Sequence, residues 1–184
     1  MKFDPGVEEK DIDRLAKKIH KQNCKVGWWD DPIPEDIMFT KLQLVNSEIA
    51  EATEAERKDL MDDHLPHRKG GEVELADAMI RLLDLAGHYG WEYHKTVDPC
   101  PAMDMMTNVA AMHIFIAVEV CDIAMSHDVR QQMYHYSTSL NAIFKTGQRQ
   151  KYDIMAAVEE KLAYNARRAD HKRENRQKEN GKKW

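Results

Sequence analysis

Two pairs of carboxylates, each with its members three residues apart, are the residues of this chain best placed to do chemistry. Glu48 and Glu51 form the first pair, and Glu74 and Asp77 form the second after 22 intervening residues. Residues three apart share a helix face, so each pair points in one direction. Four clustered carboxylates repel one another, and a divalent cation would relieve that repulsion. Oxygen-only ligands favour Mg²⁺, with Mn²⁺ as a substitute, over zinc.

The helical wheel separates these two pairs from the other acidic pairs of the chain. Seven pairs of acidic residues have this spacing, and for any one of them a solvated helix face is the ordinary explanation. Glu48 and Glu51, however, flank an apolar stripe beside Leu44 and Ala55, and the second pair borders Val73 in the same way. A di-iron site is disfavoured, because it needs Glu-x-x-His and no Glu in the chain has His three residues later.

A polar stripe near the end of the chain could complement the carboxylates. Lys161, Asn165 and Arg168 stand at i, i+4 and i+7 of the last predicted helix, which places them on one face. Arg presents a fork that matches phosphate, and Lys presents a point charge, so this stripe could hold a polyphosphate. The alternative is a solvated helix C-terminus, where cations complement the helix dipole.

Three further features have both a functional and a structural interpretation. The segment 67–71 leads into a predicted helix N-terminus and is either a phosphate contact or an exposed loop. Trp28 and Trp29 either stack on a base or pack beneath their loop. His64 and His67 could indicate zinc, but no thiolate or third histidine accompanies them, so surface histidines are expected.

Six helices must position these side chains, and the sequence predicts an all-α antiparallel bundle. Ala, Leu, Glu and Lys are common, and the apolar residues of the second helix recur at i, i+4 and i+7. Gly147 is expected to break the chain between the last two helices. We expect one domain over residues 1–184, with additional helices in 98–150 and a basic tail at 171–184. The six predicted helices span residues 8–22, 35–60, 72–89, 103–126, 129–145 and 152–170.

Composition and charge exclude several classes of protein. Of the 184 residues, 42% are hydrophobic and 32% are charged, which suits a folded core and argues against disorder. Residues 161–184 carry nine basic and three acidic side chains, which gives this segment a net charge of +6. Because the whole chain has a net charge of −5, residues 1–160 have a net charge of −11. One basic tail is too small a surface for general nucleic-acid binding.

The cysteines and the most apolar segment bear on the compartment. Cys24, Cys100 and Cys121 are odd in number and form no Cys-x-x-Cys pair. A disulfide framework is therefore not expected. A protein with such cysteines is expected in the reducing cytoplasm. The most apolar run, 105–125, contains two acidic residues, which predicts a buried helix and no membrane partner.

The order and spacing of these elements resemble one known superfamily. Residues 47–51 (SEIAE) and 74–77 (ELAD) resemble the ExxE…ExxD signature of the MazG-like all-α nucleoside triphosphate pyrophosphohydrolases, which include the dimeric dUTPases. Residues 160–168 (EKLAYNARR) resemble the closing KxxYNxxR element of that superfamily, and residues 181–183 (GKK) resemble its Gly-Lys tail. The resemblance covers residues 27–95 and 150–184.

The resemblance implies a fold, a reaction and roles for eight residues. The superfamily is all-α, usually pairs into homodimers or homotetramers, and hydrolyses nucleoside triphosphates to the monophosphate and pyrophosphate with Mg²⁺. Residues 98–150 have no counterpart in its shorter members and would complete a duplicated bundle or form an oligomer interface. By motif, the catalytic metal ligands would be Glu48, Glu51, Glu74 and Asp77, and the phosphate-binding residues would be Lys161, Tyr164, Asn165 and Arg168.

Three functions are compatible with the sequence. The first is Mg²⁺-dependent hydrolysis of a (deoxy)nucleoside triphosphate in nucleotide-pool control, with metal-activated water attacking the α-phosphate. One of the four acids, such as Glu51, would take the proton of that water, and dUTP, dGTP and non-standard nucleotides stay open as substrates. The second is a non-catalytic helical interaction module with solvated acidic faces. The third is a nucleic-acid-binding protein that uses the basic tail.

Overall fold

The chain folds into helices joined by short loops in the computed structural model, which describes residues 4–30, 32–97, 102–176 and 178. Within those ranges there is no strand, and Met61 and Lys69 form an isolated β-bridge. The all-α prediction is therefore confirmed. The helices are α1 (Glu9–Lys25), α2 (Ile37–Lys58), α3 (Gly70–Tyr89), α4 (Ala102–Met105), α5 (Val109–Met125), α6 (Val129–Gln150), α7 (Ile154–Asn165) and α8 (Arg173–Arg176), with a 3₁₀ turn at Ala169–His171.

The central element is α3, which packs against α1, α2, α6 and α7. Leu75, Met79, Leu82 and Leu85 are all fully buried, and a helix that is apolar on nearly every side must be enclosed by others. The loop 59–69 returns the chain from α2 to α3, so these two helices run antiparallel. Polar side chains on α3 can therefore contact side chains of α2 and α7.

Side-chain caps begin three of the helices. The carboxylate or amide oxygen of the residue before each helix accepts a backbone N–H from its first turn. These residues are Asn108 before α5, Asp128 before α6 and Asp153 before α7. Such caps satisfy N–H groups that have no partner within the helix and each contribute about 1 kcal/mol. The Asp153 cap fixes the residue at which α7 begins.

The helices α1 and α3 approach closely at Gly87. A Cβ added there would lie 2.5 Å from His20 Cβ and 2.6 Å from the Ala16 carbonyl oxygen. Any larger residue would push the two helices apart. The close approach also lets His20 Nδ1 lie 3.1 Å from Asp84 Oδ1, which ties α1 to the end of α3.

The helix bounds differ from the prediction at two places that matter. Gly147 does not break the chain, because α6 continues to Gln150; Gly147 is buried, and a Cβ there would lie 2.5 Å from Ile154 Cγ1. The last long helix is shorter than predicted, since α7 ends at Asn165 and Arg168 has extended backbone with φ −65° and ψ 128°. The prediction that Lys161, Asn165 and Arg168 form one helical stripe is therefore wrong in its third member.

The additional helices predicted in residues 98–150 are α4, α5 and α6, of which α5 packs against α2 and α6. Cys24 and Cys121 are free thiols. Cys100, the 181–183 motif and half of the predicted tail (177 and 179–184) lie outside the described residues. In the described part of the chain, no helix combines the length and the apolar character needed to cross a membrane.

Candidate active site

A cavity of about 670 Å³ lies between α2, α3, α7 and the segment that follows α7. Seven of the eight predicted site residues line it, and Tyr164 is the exception. The fold therefore brings together predicted residues from α2, α3, α7 and the segment after α7. Those seven residues are Glu48, Glu51, Glu74, Asp77, Lys161, Asn165 and Arg168.

Three of the four predicted carboxylates meet in one wall of the cavity. Glu48 from α2 and Glu74 and Asp77 from α3 each offer an oxygen within 4.8 Å of the other two, and we call these three residues the carboxylate cluster. Glu48 is 7% exposed. Glu51 lies one helical turn further along α2, where its side chain is exposed and lines the same cavity outside the cluster.

Burial and mutual repulsion disfavour the ionised forms of carboxylates in the cluster. Desolvation, followed by repulsion from Asp77, raises the pKa of Glu74 to about 8, and attraction to Lys161 offsets part of this rise. Burial also raises the pKa of Asp77, again opposed by Lys161. Glu74 therefore holds its proton near neutral pH. A divalent cation bound by oxygens of the cluster would favour the ionised form of Glu74.

Lys161 provides one positive charge beside the cluster. Its Nζ lies 2.9 Å from Asp77 Oδ2, and 4% of its side chain is exposed. Burial acts to lower the pKa of the Lys161 ammonium, but attraction to Asp77, followed by Asp62 and Glu74, outweighs burial and raises it. Lys161 is therefore held as a cation where α7 meets α3.

Arg81 is a member of the site that the sequence argument missed. Its Nη2 lies 2.5 Å and its Nε 2.8 Å from Glu48 Oε1, which joins α3 to α2. Arg81 is four residues after Asp77 and seven after Glu74, so helical spacing alone could have placed it on the same face. It holds one edge of the cluster while 38% of its side chain stays exposed.

The phosphate-binding residues predicted from the sequence differ in how they are held. Asn165 Oδ1 is shielded from solvent and has no hydrogen-bond partner in the described part of the chain. An orphaned buried acceptor is costly, so a ligand donor or a cation would satisfy it. The Arg168 guanidinium donates to both oxygens of Asp170, at 2.9 and 2.7 Å. A phosphate at Arg168 would compete with that carboxylate.

His64 is exposed, as expected, and it also lines the cavity. Its ring centroid lies 4.6 Å from that of Tyr164, so Tyr164 borders the site through this contact rather than directly. The buried Asp62 carboxylate fixes the turn by accepting the N–H groups of His64 and Leu65 at 2.9 and 2.6 Å. The zinc alternative gains no support, because no third ligand groups with His64 and His67 among the described residues.

A network of ion pairs docks α7 onto α3. Arg68 donates from Nη1 to Glu72 at 2.8 Å and from Nη2 to Glu160 at 2.8 Å. Glu72 also accepts the backbone N–H of Asp153 at the start of α7, at 2.8 Å. Arg68 and Glu72 are largely buried, with 12% and 9% of their side chains exposed. The network fixes how α7 presents Lys161 to the cavity.

The other end of the cavity is aromatic. Trp28 lines it, together with Lys41, Asp84 and His171, and we call these four residues the aromatic end. Trp29 is 8% exposed and belongs to the core. The packing interpretation therefore holds for Trp29, whereas Trp28 faces the cavity.

A second group of potential metal ligands lies away from the cavity. Glu119 and Asp122 on α5 and His135 on α6 each offer an atom within 4.8 Å of the others. His135 Nδ1 lies 2.8 Å from Glu119 Oε2, so these two groups already satisfy one another. None of the three residues lines the cavity, which makes the group a useful control for metal binding.

Comparison of the chain with protein-family models, with curated proteins and with solved structures finds no match in any of the three. The family assignment thus stays a prediction from the motifs around Glu48, Glu74 and Lys161.

Proposed function

We propose that the chain is a Mg²⁺-dependent nucleoside triphosphate pyrophosphohydrolase, which hydrolyses its substrate to the monophosphate and pyrophosphate. The observation that supports this most is the shared cavity. The carboxylate cluster lines this cavity together with Lys161, Asn165 and Arg168. Acidic residues suited to a metal and basic residues suited to phosphate are the two halves of a site for a metal-bound polyphosphate.

The residues fit a hard divalent cation. The cluster offers only carboxylate oxygens, which Mg²⁺ and Mn²⁺ prefer. Burial, followed by repulsion from Asp77, raises the pKa of Glu74 to about 8, and a bound cation would favour the ionised carboxylate. Glu48, Glu74 and Asp77 would hold the ion, with the exposed Glu51 one turn away. A bound Mg²⁺ would neutralise phosphate oxygens and lower the pKa of an attacking water.

The chain's own residues then have distinct tasks. Lys161 and Arg168 would bind the phosphates and stabilise the pyrophosphate as it leaves, because they bring positive charge to a partly desolvated site. The orphaned Asn165 Oδ1 would accept the O–H of a ribose hydroxyl and so position the sugar. Glu51 lines the cavity outside the cluster, so its carboxylate would take the proton of the attacking water.

We further propose that the protein works as a homodimer or homotetramer in the cytoplasm. Ile114, Val118 and Met125 are 66%, 51% and 69% exposed. Their spacing of four and seven residues places them on one face of α5, opposite the face that packs on the core. Exposed apolar patches of this kind commonly mark association surfaces. Analytical ultracentrifugation would test this, and a monomer at micromolar concentration would contradict it.

The test of the reaction is release of pyrophosphate and monophosphate from a panel of ribo- and deoxynucleoside triphosphates, with Mg²⁺ or with EDTA. We expect metal-dependent release that Glu74→Gln lowers by at least about 100-fold. Asp122→Asn, in the second group of acidic residues, is the matched control and should leave turnover unchanged. No turnover by folded wild-type protein, or full activity of Glu74→Gln, would contradict the proposal and favour a non-catalytic interaction module.

A further inference from the structure

The register of two antiparallel helices places a cation and a carboxylate together at the aromatic end. Lys41 stands seven residues before Glu48 on α2, and Asp84 stands seven residues after Asp77 on α3. Because α2 and α3 run in opposite directions, both steps move about 10 Å the same way along the helix axes. Lys41 and Asp84 therefore lie at one end of the cavity, two helical turns from the carboxylate cluster.

Lys41 is an unusual residue at this end because it is 7% exposed. Its Nζ lies 4.8 Å from the centre of the Trp29 ring and 5.6 Å from that of Trp28. Cation–π contacts of this kind help a buried ammonium to stay charged. Lysine carries three donors and no acceptor. A ligand that reaches Lys41 must therefore present an acceptor, such as a carbonyl oxygen.

Asp84 has the opposite hydrogen-bonding character and is rigidly held. It is 6% exposed, and Trp29 Nε1 donates to its two oxygens at 3.0 and 3.1 Å. His20 Nδ1 lies 3.1 Å from Oδ1. An ionised carboxylate has about four acceptor positions and no donor, so Asp84 can still accept from a ligand. Such a ligand must present N–H groups.

Trp28 and His171 give this end a surface for a flat ring. Their ring centroids are 5.7 Å apart and the rings are nearly perpendicular, at 87°. Both residues line the cavity. Stacking on an aromatic side chain is a general way to bind a nucleobase, because every base has a π-face. Stacking alone does not select among the bases, so selection falls to Lys41 and Asp84.

We infer that the aromatic end binds guanine, with O6 toward Lys41 and the N1–H and N2–H groups toward Asp84. This rests on the proposed function, since it assigns the base of the nucleotide whose phosphates lie at the cluster. Guanine offers a carbonyl acceptor beside two adjacent N–H donors. Adenine has an amino group where Lys41 requires an acceptor, and a lysine contact to guanine O6 is a common specific base contact. Hypoxanthine keeps O6 and N1–H but lacks the second donor.

Binding of deoxynucleoside monophosphates in EDTA tests the inference without any turnover. Quenching of tryptophan fluorescence would be titrated with dGMP, dIMP, dUMP, dCMP and dAMP. We expect dGMP to bind tightest, dIMP about fivefold more weakly and dAMP at least about 20-fold more weakly. In Lys41→Met the preference for dGMP over dAMP should fall to about twofold, whereas the exposed-site control Lys18→Met should retain it.

The outcomes separate this inference from the proposed reaction. Equal or tighter binding of dAMP, dUMP or dCMP, no quenching by any nucleotide, or an unchanged preference in Lys41→Met would each overturn the guanine assignment. Metal-dependent pyrophosphate release without guanine preference would leave the reaction standing and remove the assignment. Guanine-selective binding without turnover would retain the assignment and contradict the reaction.

Discussion

Lys161 Nζ lies 2.9 Å from Asp77 Oδ2, and this buried ion pair joins α7 to α3, the helix that carries two members of the carboxylate cluster. The pair also lies beside Glu74, whose pKa is raised by burial and by Asp77. A divalent cation at the cluster would share Asp77 with Lys161. We therefore expect the stability of the protein to depend on both the lysine and the metal.

Replacing Lys161 by methionine should destabilise the metal-free protein by about 3 kcal/mol, because Asp77 would be left buried without its partner. Mg²⁺ should restore part of that loss, since it supplies the missing positive charge. Urea unfolding in EDTA and in Mg²⁺ measures both effects. The same variant should lower kcat/KM about 100-fold through the loss of phosphate stabilisation.

The control for Lys161→Met is Lys172→Met, which removes an exposed cation from the segment after α7. It should change the free energy of unfolding by less than about 0.5 kcal/mol. Equal stability of Lys161→Met and wild type in EDTA would contradict the role of this ion pair.

Asp170→Asn should strengthen substrate binding. Asp170 accepts two hydrogen bonds from the Arg168 guanidinium, and a phosphate must displace it to reach the same donors. Weakening this competitor should lower KM about fivefold and leave kcat unchanged. Steady-state kinetics with Arg168→Gln as the opposing variant, which should raise KM, measures the effect. An unchanged KM in Asp170→Asn would show that Arg168 does not bind the phosphates.

Arg68→Met should destabilise the protein by about 2 kcal/mol, because the buried Glu72 carboxylate would lose its ion-pair partner. Arg57 offers a matched comparison, since it also makes two close contacts to a glutamate, Glu54, but on the exposed surface. Arg57→Met should have no measurable effect on the urea midpoint, because exposed pairs contribute little. Similar midpoints for the two variants would contradict the docking role of Arg68.

His113 should make the protein less stable in mild acid. Burial lowers its pKa to about 4, and its Nδ1 lies 2.9 Å from Thr53 Oγ1. An unfolded histidine has a pKa near 6.5. Between that pH and about 4, the unfolded chain therefore binds a proton at His113 that the folded protein does not bind. Stability is therefore lost as pH falls from about 6.5 toward 4, by about 2 kcal/mol between pH 7 and 4.5.

The comparison that isolates His113 is His113→Gln, which cannot titrate. Chemical unfolding of both proteins at pH 7 and pH 4.5 should show that wild type loses about 2 kcal/mol more than the variant. Other groups titrate in both proteins and cancel in the difference. Equal losses would mean that His113 is protonated while the protein is folded.

The sequence predicted the carboxylate cluster because that inference needed only helical spacing. Glu48, Glu74 and Asp77 share faces with the apolar stripes of their helices, so burying the stripes brings them together. Glu51 lies on the exposed side of the same face, and nothing in a three-residue spacing distinguishes it from Glu48. The pattern predicts which face a residue occupies, but not how deeply the neighbouring helix covers it.

The features that were wrong or missed depend on where a helix ends and on which neighbours pack against it. Arg168 leaves the predicted stripe because α7 ends three residues earlier, and its ion pair with Asp170 follows from that turn. Gly147 stays helical because Ile154 packs against it, which a local helix-breaking preference does not describe. His64 reaches the cavity through the loop geometry that Asp62 imposes. Turn geometry and local packing decide these outcomes, and hydrophobic periodicity describes neither.

The most direct test of the central claim is hydrolysis of a nucleoside triphosphate in H₂¹⁸O with Mg²⁺, followed by mass spectrometry of both products. The account predicts that one ¹⁸O enters the monophosphate and none enters pyrophosphate, because water attacks the α-phosphorus beside Glu48, Glu74 and Asp77. Label in pyrophosphate, release of orthophosphate in place of pyrophosphate, or no metal-dependent turnover at all would contradict it.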